Sequence, residues 1–439
     1  MSEKLDKTRE QALKILYKID KEGAYSNIAL NESIKQNKKE LTAKDIGLIS
    51  ELTYGVTTWK LTLDEIIKKH SKIKIKKISP WILNILRMGI YQIVFLEKIP
   101  KSAAVNESVN LAKRYGHKSS SNFVNAILRK VDKKDYQELF QIQNPIQRIS
   151  ATTSMPEWIV KQLLDERKNV KEVEEICINL NERPKTIIRR NRLKSTKDEF
   201  EKILEEQQVE YENIEENNDF YVVEKIRNIE NMDLFKNGYF TVQDISAGLS
   251  AYYLNPKKGD YVLDACSAPG GKTAYLAELM ENEGYIEAWD IHKHRTNLVE
   301  ENAKRLGIKI IHTEQKDATI YNETKKEKFD KILLDVPCLG IGVIRRKPDI
   351  KWQKETENME EITKIQQEIL QICSKYLKKN GEMIYSTCSI FKKENEEVIQ
   401  KFLKSNKNFE LETIKNSQYL NILPTKYQDG FFITKIKKM

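Results

Sequence analysis

Only five cysteines occur in 439 residues, none in the first 140 and four beyond position 260. So sparse a set forms neither a disulfide framework nor a close-spaced zinc pattern, and a reducing, cytoplasmic setting suits it best. Long apolar runs are missing as well. The most apolar stretch, 81–96, is interrupted by Asn84, Arg87 and Gln92 and is too short to span a bilayer, so it reads as a buried helix and no membrane partner is expected. The N-terminus MSEKLDKTREQ is charged and has no apolar core of signal-peptide length, which argues against secretion by that route. No fixed-period repeat occurs. His292 and His294 lack companion ligands, so no metal site is expected.

Length and charge are what the chain does have. At about 100–200 residues per domain, this chain predicts two or three domains, and its 40% hydrophobic content is ample for their cores. The net charge of +10 is unevenly spread. Residues 1–140 hold 27 Lys and Arg against 16 Asp and Glu, 141–240 hold 16 against 20, and 241–439 hold 32 against 29. A basic module beside a nearly neutral one suits a protein that holds a polyanion and acts on it, while a Lys-rich solvated surface fits the count equally well.

Residues 1–140 carry a helical rhythm. Ala12, Ile15, Leu16 and Ile19 share a face, as do Leu48, Ile49, Leu52 and Val56, and breaks fall at Gly23, Pro80, Pro100 and Gly116. An all-α domain with one central buried helix is expected. Lys113, Arg114 and Lys118 lie just ahead of Ser119, Ser120 and Ser121, and small hydroxyls and free amides near a helix start, beside Lys and Arg, suit phosphate contacts. The stretch ILRMGIYQIVFLEKIPKSAAVNESVNLAKRYGHKSSSNFVNAILRKV resembles the helical RNA-binding domain of the NusB family along its whole length. That resemblance, not the periodicity, implies RNA binding.

Residues 141–240 begin with Pro145 and Pro156, which suggest a connection, and continue with a basic strand at 185–192, a helix at 198–204 and the acidic segment EEQQVEYENIEENND. A linker and small α+β domain are expected. From 241 to 439 apolar runs at 261–263, 285–289, 308–311, 332–334 and 383–385 alternate with helical patterns at 273–280, 295–306 and 362–377. That order predicts a doubly wound α/β domain with a mostly parallel sheet, whose ligands sit at the carboxyl ends of the strands.

The first of these strands ends in VLDACSAPGGKT, a Gly-rich turn running into a helix. Gly270 and Gly271 admit a ligand close to the backbone, and the helix start offers unpaired amides. A phosphate-binding ATPase loop needs Gly where Cys266 stands, and the GxGxxG dinucleotide fingerprint is absent. S-adenosylmethionine remains as the expected cofactor. Asp290 closes the next strand, about where a carboxylate meets ribose hydroxyls. Asp317 is placed to meet the adenine amino group, or is an ordinary surface Asp. Gln243, Asp244 and Ser246 are expected to help seat the first strand, and Phe431 and Phe432 to pack in the core.

Two further strand ends carry thiols. KILLDVPCLGIGVIRRKPDIKW places Asp335 and Cys338 past the fourth strand, and GEMIYSTCSI places Cys388 past the fifth. One buried Cys is ordinarily an inert small hydrophobe, but two at neighbouring strand ends point to convergence. Methylation at a pyrimidine carbon requires a thiol, because C5 of cytosine becomes nucleophilic only after a thiolate adds to C6. Polarising the ring through N3 is the role expected of Asp335. Amino-nitrogen methylation needs no thiol, and its usual Asp/Asn-Pro-Pro-aromatic strand end is here Asp-Val-Pro-Cys.

Together DACSAPGGKT, DVPCLGIGVIRRKPDIKW, YSTCSI with NEEV, and LPTKYQDGFF resemble the RNA cytosine-5 methyltransferases of the Nop2/NSUN/RsmB/RsmF class over about 200 residues. The resemblance implies a class I S-adenosylmethionine-dependent fold, with Cys388 as nucleophile and Cys338 assisting product release. It also implies a donor site of Cys266, Ser267, Ala268, Pro269, Gly270, Gly271, Lys272, Asp290, Asp317 and Asp335. Arg345, Arg346 and Lys347 are expected on a loop beside the crevice, as RNA phosphate contacts or as a solvated charge run. With the NusB-like front domain, the domain order is similar to that of bacterial enzymes acting on 16S ribosomal RNA. It implies a monomer acting on free small-subunit RNA or an early assembly intermediate. The alternatives are a transfer RNA or another ribosomal RNA site, or a non-catalytic RNA-binding assembly or termination factor. Two departures stand out: a single Pro in NERPKTIIRRN, and Cys-Ser-Ala at 266–268 where relatives have Cys-Ala-Ala.

Overall fold

The structure, a computed structural model, describes residues 6–37, 40–215, 217–224, 226 and 229–439. Residues 1–5 of the charged N-terminus and Glu216 of the acidic segment lie outside them. The chain divides into two compact units, Met1–Asn181 with Ile344–Lys354, and Glu182–Val343 with Glu355–Met439. Among the described residues no helix is long and apolar enough to cross a membrane.

The first unit is helical. At its centre is Pro80–Phe95, begun by Pro in its first turn and buried on nearly every side by Ile82, Ile85, Leu86, Met88 and Ile90. Arg87, which interrupts this apolar run, is itself buried. It forms a two-pronged pair with Asp64 (2.7 Å each) and a third bond to Asp20 (2.6 Å), so its charge is compensated inside the core.

Where the prolines suggest a connection, the chain forms the helices Pro145–Thr153 and Glu157–Arg167 instead. Pro145 occupies a first-turn position behind the capping residue Asn144, where proline starts a helix rather than breaking one. The first of them is tied to the front helices by Thr62 Oγ1 donating to the Ala151 carbonyl (2.6 Å) and Tyr136 Oη to that of Thr152 (2.9 Å).

Residues 344–354 also pack in this unit. Asp349 accepts from Ser26 Oγ (2.7 Å), Trp352 Nε1 donates to the Thr57 carbonyl (2.7 Å), and buried Lys351 donates to the carbonyls of Thr58 and Ser154 and to Asn181 Oδ1. Burial pushes the Lys351 amine down to about 7.

The second unit opens with a small antiparallel sheet of β1 (Thr186–Arg190), β2 (Tyr211–Asn213), β3 (Phe220–Val223) and β4 (Phe240–Val242), in the order β2-β3-β1-β4. Phe200 and Leu204 of the helix Lys197–Glu206 cover one face. The basic residues of β1 point inward. Arg189 makes two 3.0 Å bonds to Glu278 and lies 4.3 Å over the Tyr275 ring, while Arg190 pairs with Asp219.

The large sheet contains β5 (Tyr261–Asp264), β6 (Tyr285–Asp290), β7 (Ile311–Gln315), β8 (Phe329–Asp335), β9 (Leu377–Thr387), β10 (Phe409–Glu412), β11 (Leu420–Ile422) and β12 (Phe431–Lys438). Its order is β10-β12-β9-β8-β5-β6-β7, with β11 paired to β12. The five strands from β9 to β7 are mutually parallel, and β12 and its neighbours run antiparallel. Alternate residues of one strand enter cores on opposite faces: Leu333 joins Ala274, Leu276 and Leu306, while Ile332 and Leu334 join Ile369, Leu370 and Ile399. The domain is therefore doubly wound, as the alternating pattern predicts. Phe431 and Phe432 are buried in these cores.

Candidate active site

Chain order reverses at β5, which has β6 on one side and β8 on the other, so the turns leaving these strands open a crevice at their carboxyl ends. On the β5 side the turn 265–270 is pinned to β6, because the Ser267 amide and Oγ both donate to the Trp289 carbonyl at 2.8 Å. Gly270 then takes φ +100°, and a Cβ there would stand 3.0 Å from Val299 Cα. Only glycine fits both demands. The helix Gly271–Leu279 starts at once, so its first amides face the crevice end of the sheet.

Asp264, at the end of β5, is buried. Its Oδ2 accepts from Thr273 Oγ1 (2.7 Å), and its Oδ1 has no hydrogen-bond partner among the described residues. Burial pushes this carboxyl up to about 7, against the pull of the Thr273 hydrogen bond. At the end of β6, Asp290 accepts from the His292 amide (3.0 Å) and faces Arg295 Nη1 (3.2 Å). Beyond β7, Asp317 is half-buried and accepts from the Thr319 amide (2.9 Å) and hydroxyl (2.7 Å). Ile291 and Ile320, close to these two aspartates in sequence, are exposed, and apolar side chains in such a position suit the face of a flat base. Neither Asp264 nor these isoleucines was singled out from sequence, although the aspartate closes the first strand in plain view.

The residues expected to react lie past β8 and β9. Their register pairs Asp335 with Ser386, which brings Ser386 Oγ to 3.0 Å from Asp335 Oδ1. Asp335 Oδ2 takes Lys272 Nζ at 2.7 Å. Burial acts to lower the Lys272 pKa, but the Asp335 carboxylate outweighs it and the ammonium is held above its usual range.

Cys338 Sγ and Cys388 Sγ are 2.8 Å apart. The hydrogen bond to Cys388 and then burial push the Cys338 thiol well above its ordinary range. The two turns are laced together: the Gly342 amide donates to the Cys388 carbonyl, and the Gly430 amide to that of Gly342, both at 2.9 Å. A Cβ on Gly342 would stand 2.1 Å from the Gly430 carbonyl, so a side chain would part these turns.

Lys113 and Arg114 end the helix Lys101–Tyr115 and Lys118 starts Lys118–Leu128, all three exposed in the first unit. Arg345, Arg346 and Lys347 belong to that unit too. Arg345 is buried, Arg346 half-buried and Lys347 exposed. Asp244 caps the helix Ile245–Leu254 through the Ser246 amide (2.9 Å), and Ser246 Oγ donates to the Asp429 carbonyl. These two residues thus hold a helix start and a loop rather than seat β5.

Three family models match the chain. The 16S rRNA methyltransferase RsmB/F family covers residues 251–437, the NusB family 6–133, and the RsmF/B-like ferredoxin-like domain 155–230. The Bacillus subtilis (strain 168) protein named "Probable ribosomal RNA small subunit methyltransferase B" is 38% identical, covering 98% of both chains. Among solved structures, that of PH0851 matches with a TM-score of 0.81 at 26% identity over the whole of both chains. A methyltransferase homolog protein from Pyrococcus horikoshii matches with a TM-score of 0.61 at 25% identity, over 68% of this chain and all of its own.

Proposed function

Because the chain belongs to the 16S rRNA methyltransferase RsmB/F family, we propose that it methylates C5 of a cytosine in small-subunit ribosomal RNA, with S-adenosylmethionine as the methyl donor. The Gly270 turn, the unpartnered Asp264 Oδ1 and the carboxylate closing β6 fit such a donor. Residues 266–272 and Asp335 line its site, Asp290 is directed to the ribose hydroxyls and Asp317 to the adenine amino group. Bound there, the donor supplies an electrophilic methyl group on a sulfonium.

The chain's own groups do the rest. The Cys388 thiolate adds to C6, and the displaced ring electrons make C5 the nucleophile. Asp335, held by Lys272 and Ser386, stabilises a proton on N3 and so polarises the ring for that addition. After C5 is alkylated a base takes its proton, the electrons of that C–H bond re-form the C5–C6 double bond as the C6–S bond breaks, Cys388 departs as thiolate and N3 returns its proton to solvent. Cys338, whose sulfur lies 2.8 Å from that of Cys388, assists the release. The observation that carries this reading is the 2.8 Å thiol pair beside a carboxylate gripped on both oxygens.

The RNA backbone is met by Lys113, Arg114 and Lys118 and by Lys347 with Arg346, the more exposed members of the two basic clusters. The protein works as a monomer in the cytoplasm, where its five free thiols stay reduced. Bisulfite sequencing of RNA from a strain lacking the protein tests the reading. One small-subunit cytosine should lose its methyl group and regain it with the wild-type gene but not with Cys388→Ala. An unchanged small-subunit profile with an altered transfer RNA would overturn the substrate, and restoration by Cys388→Ala would overturn the nucleophile.

A further inference from the structure

Glu394 is wholly buried, and the chemistry above makes no use of it. Its Oε2 accepts from the Leu339 amide at 2.8 Å and from Gln366 Nε2 at 3.3 Å, and its Oε1 accepts from Ser389 Oγ. Leu339 follows Cys338 and Ser389 follows Cys388, so one carboxyl group ties the residue after each thiol. The residues before the thiols are held by neighbours of this group. Gln366 Nε2 donates to the Pro337 carbonyl (2.9 Å), and Asn395 Oδ1 accepts from Thr387 Oγ1 (2.6 Å) while its Nδ2 donates to the Ser389 carbonyl (3.0 Å). Burying a carboxylate is expensive unless its oxygens are hydrogen-bonded, and an apolar side chain would fill the same space without that cost. What an apolar side chain could not do is bridge two turns from different strands.

We propose that Glu394 is a positioning residue for both thiols: by bridging the Leu339 amide and the Ser389 hydroxyl it fixes the turns after β8 and β9 in the register that brings Cys338 and Cys388 into contact. The inference rests on the reading of Cys388 as nucleophile and Cys338 as the group that assists release. Its claim is about reach rather than charge, and two substitutions in the full-length protein separate these. Glu394→Asp keeps the charge but is one methylene too short to span both turns. Glu394→Gln keeps the length, accepts from Leu339 through its oxygen and can donate to Ser389 Oγ through its nitrogen.

In single-turnover methylation Glu394→Asp should be slowed about 100-fold, the order expected when a reacting group is displaced by an ångström. Its donor Kd and its KM for RNA should stay within about threefold of wild type, and Glu394→Gln should stay within about tenfold of the wild-type rate. A wild-type rate for Glu394→Asp, or a slower Glu394→Gln than Glu394→Asp, overturns the proposal. So does loss of donor affinity in step with rate, the mark of a merely structural role. Ser389→Ala removes the bond to Glu394 on the Cys388 side, and with it the 3.3 Å bond that the same hydroxyl accepts from the Phe391 amide. It should slow formation of the protein–RNA adduct about tenfold and leave its resolution unchanged, whereas equal effects on both steps, or none, count against the bridge. Methylation by Cys388→Ala would overturn the underlying reading. An inert Cys388→Ala beside a fully active Glu394→Asp would overturn this inference alone.

Discussion

Asp264, Asp290 and Asp335 close three adjacent strands, and their surroundings make them chemically different. Asp335 is gripped by a cation and a hydroxyl and Asp290 faces an arginine, whereas Asp264 is buried, its Oδ2 held by the Thr273 hydroxyl, with its carboxyl pushed up to about 7. The sign of the consequence follows from linkage. Between about pH 4 and 7 the folded state keeps a proton that the unfolded chain has lost, so this group's contribution to stability falls as pH rises through that window and is level above it. In urea unfolding at pH 5 and pH 8, wild type should lose more stability on the way up than Asp264→Asn; parallel losses would refute the assignment. At this scale the thiols and Asp335 were legible in the sequence because each stands directly past an apolar run. Lys272's grip on Asp335 was not legible, since that ion pair exists only once the sheet sets the start of one helix beside the end of another strand.

The helices and strands themselves were read well where burial demands apolar residues and poorly where it does not. β7 illustrates the limit. The apolar run 308–311 suggests the strand, yet it spans Ile311–Gln315 and is largely polar, because an edge strand bonded only to β6 needs no apolar pattern, while Ile308 and Ile310 enter the core just ahead of it. The basic strand β1 is the opposite case. Its arginines look like a surface for a polyanion, but Arg189 and Glu278 are fully buried partners that join the small sheet to the Gly271–Leu279 helix. Removing one partner leaves a buried charge uncompensated, so Glu278→Ala should cost about 3–5 kcal/mol in chemical unfolding, and the double change to leucines should cost clearly less. Equal costs would mean that the pair is not what joins these elements.

For the molecule as a whole, charge and topology give the division of labour. The excess of Lys and Arg in residues 1–140, with Lys113, Arg114 and Lys118 exposed, suits a sequence-independent hold on phosphates. Replacing these three by alanine should weaken RNA binding and lower the slope of log affinity against log salt by about two to three. The single-turnover rate at saturating RNA should not change. An unaltered slope would place the phosphate contacts elsewhere. Three domain-sized regions could be anticipated from composition and rhythm, but not that residues 344–354, embedded in the catalytic stretch of sequence, pack among the helices of the first unit through Asp349, Lys351 and Trp352. Those contacts are long-range in sequence, and no local pattern encodes them.

Covalent catalysis by Cys388 is the central claim, and the full-length Cys338→Ala protein tests it most directly. Incubated with small-subunit RNA and S-adenosylmethionine and run on a denaturing gel, it should accumulate a covalent protein–RNA species, with the RNA mapped to Cys388 by peptide mass spectrometry and no such species in Cys338→Ala/Cys388→Ala. An adduct that survives the double substitution, or none in the single variant, would contradict it.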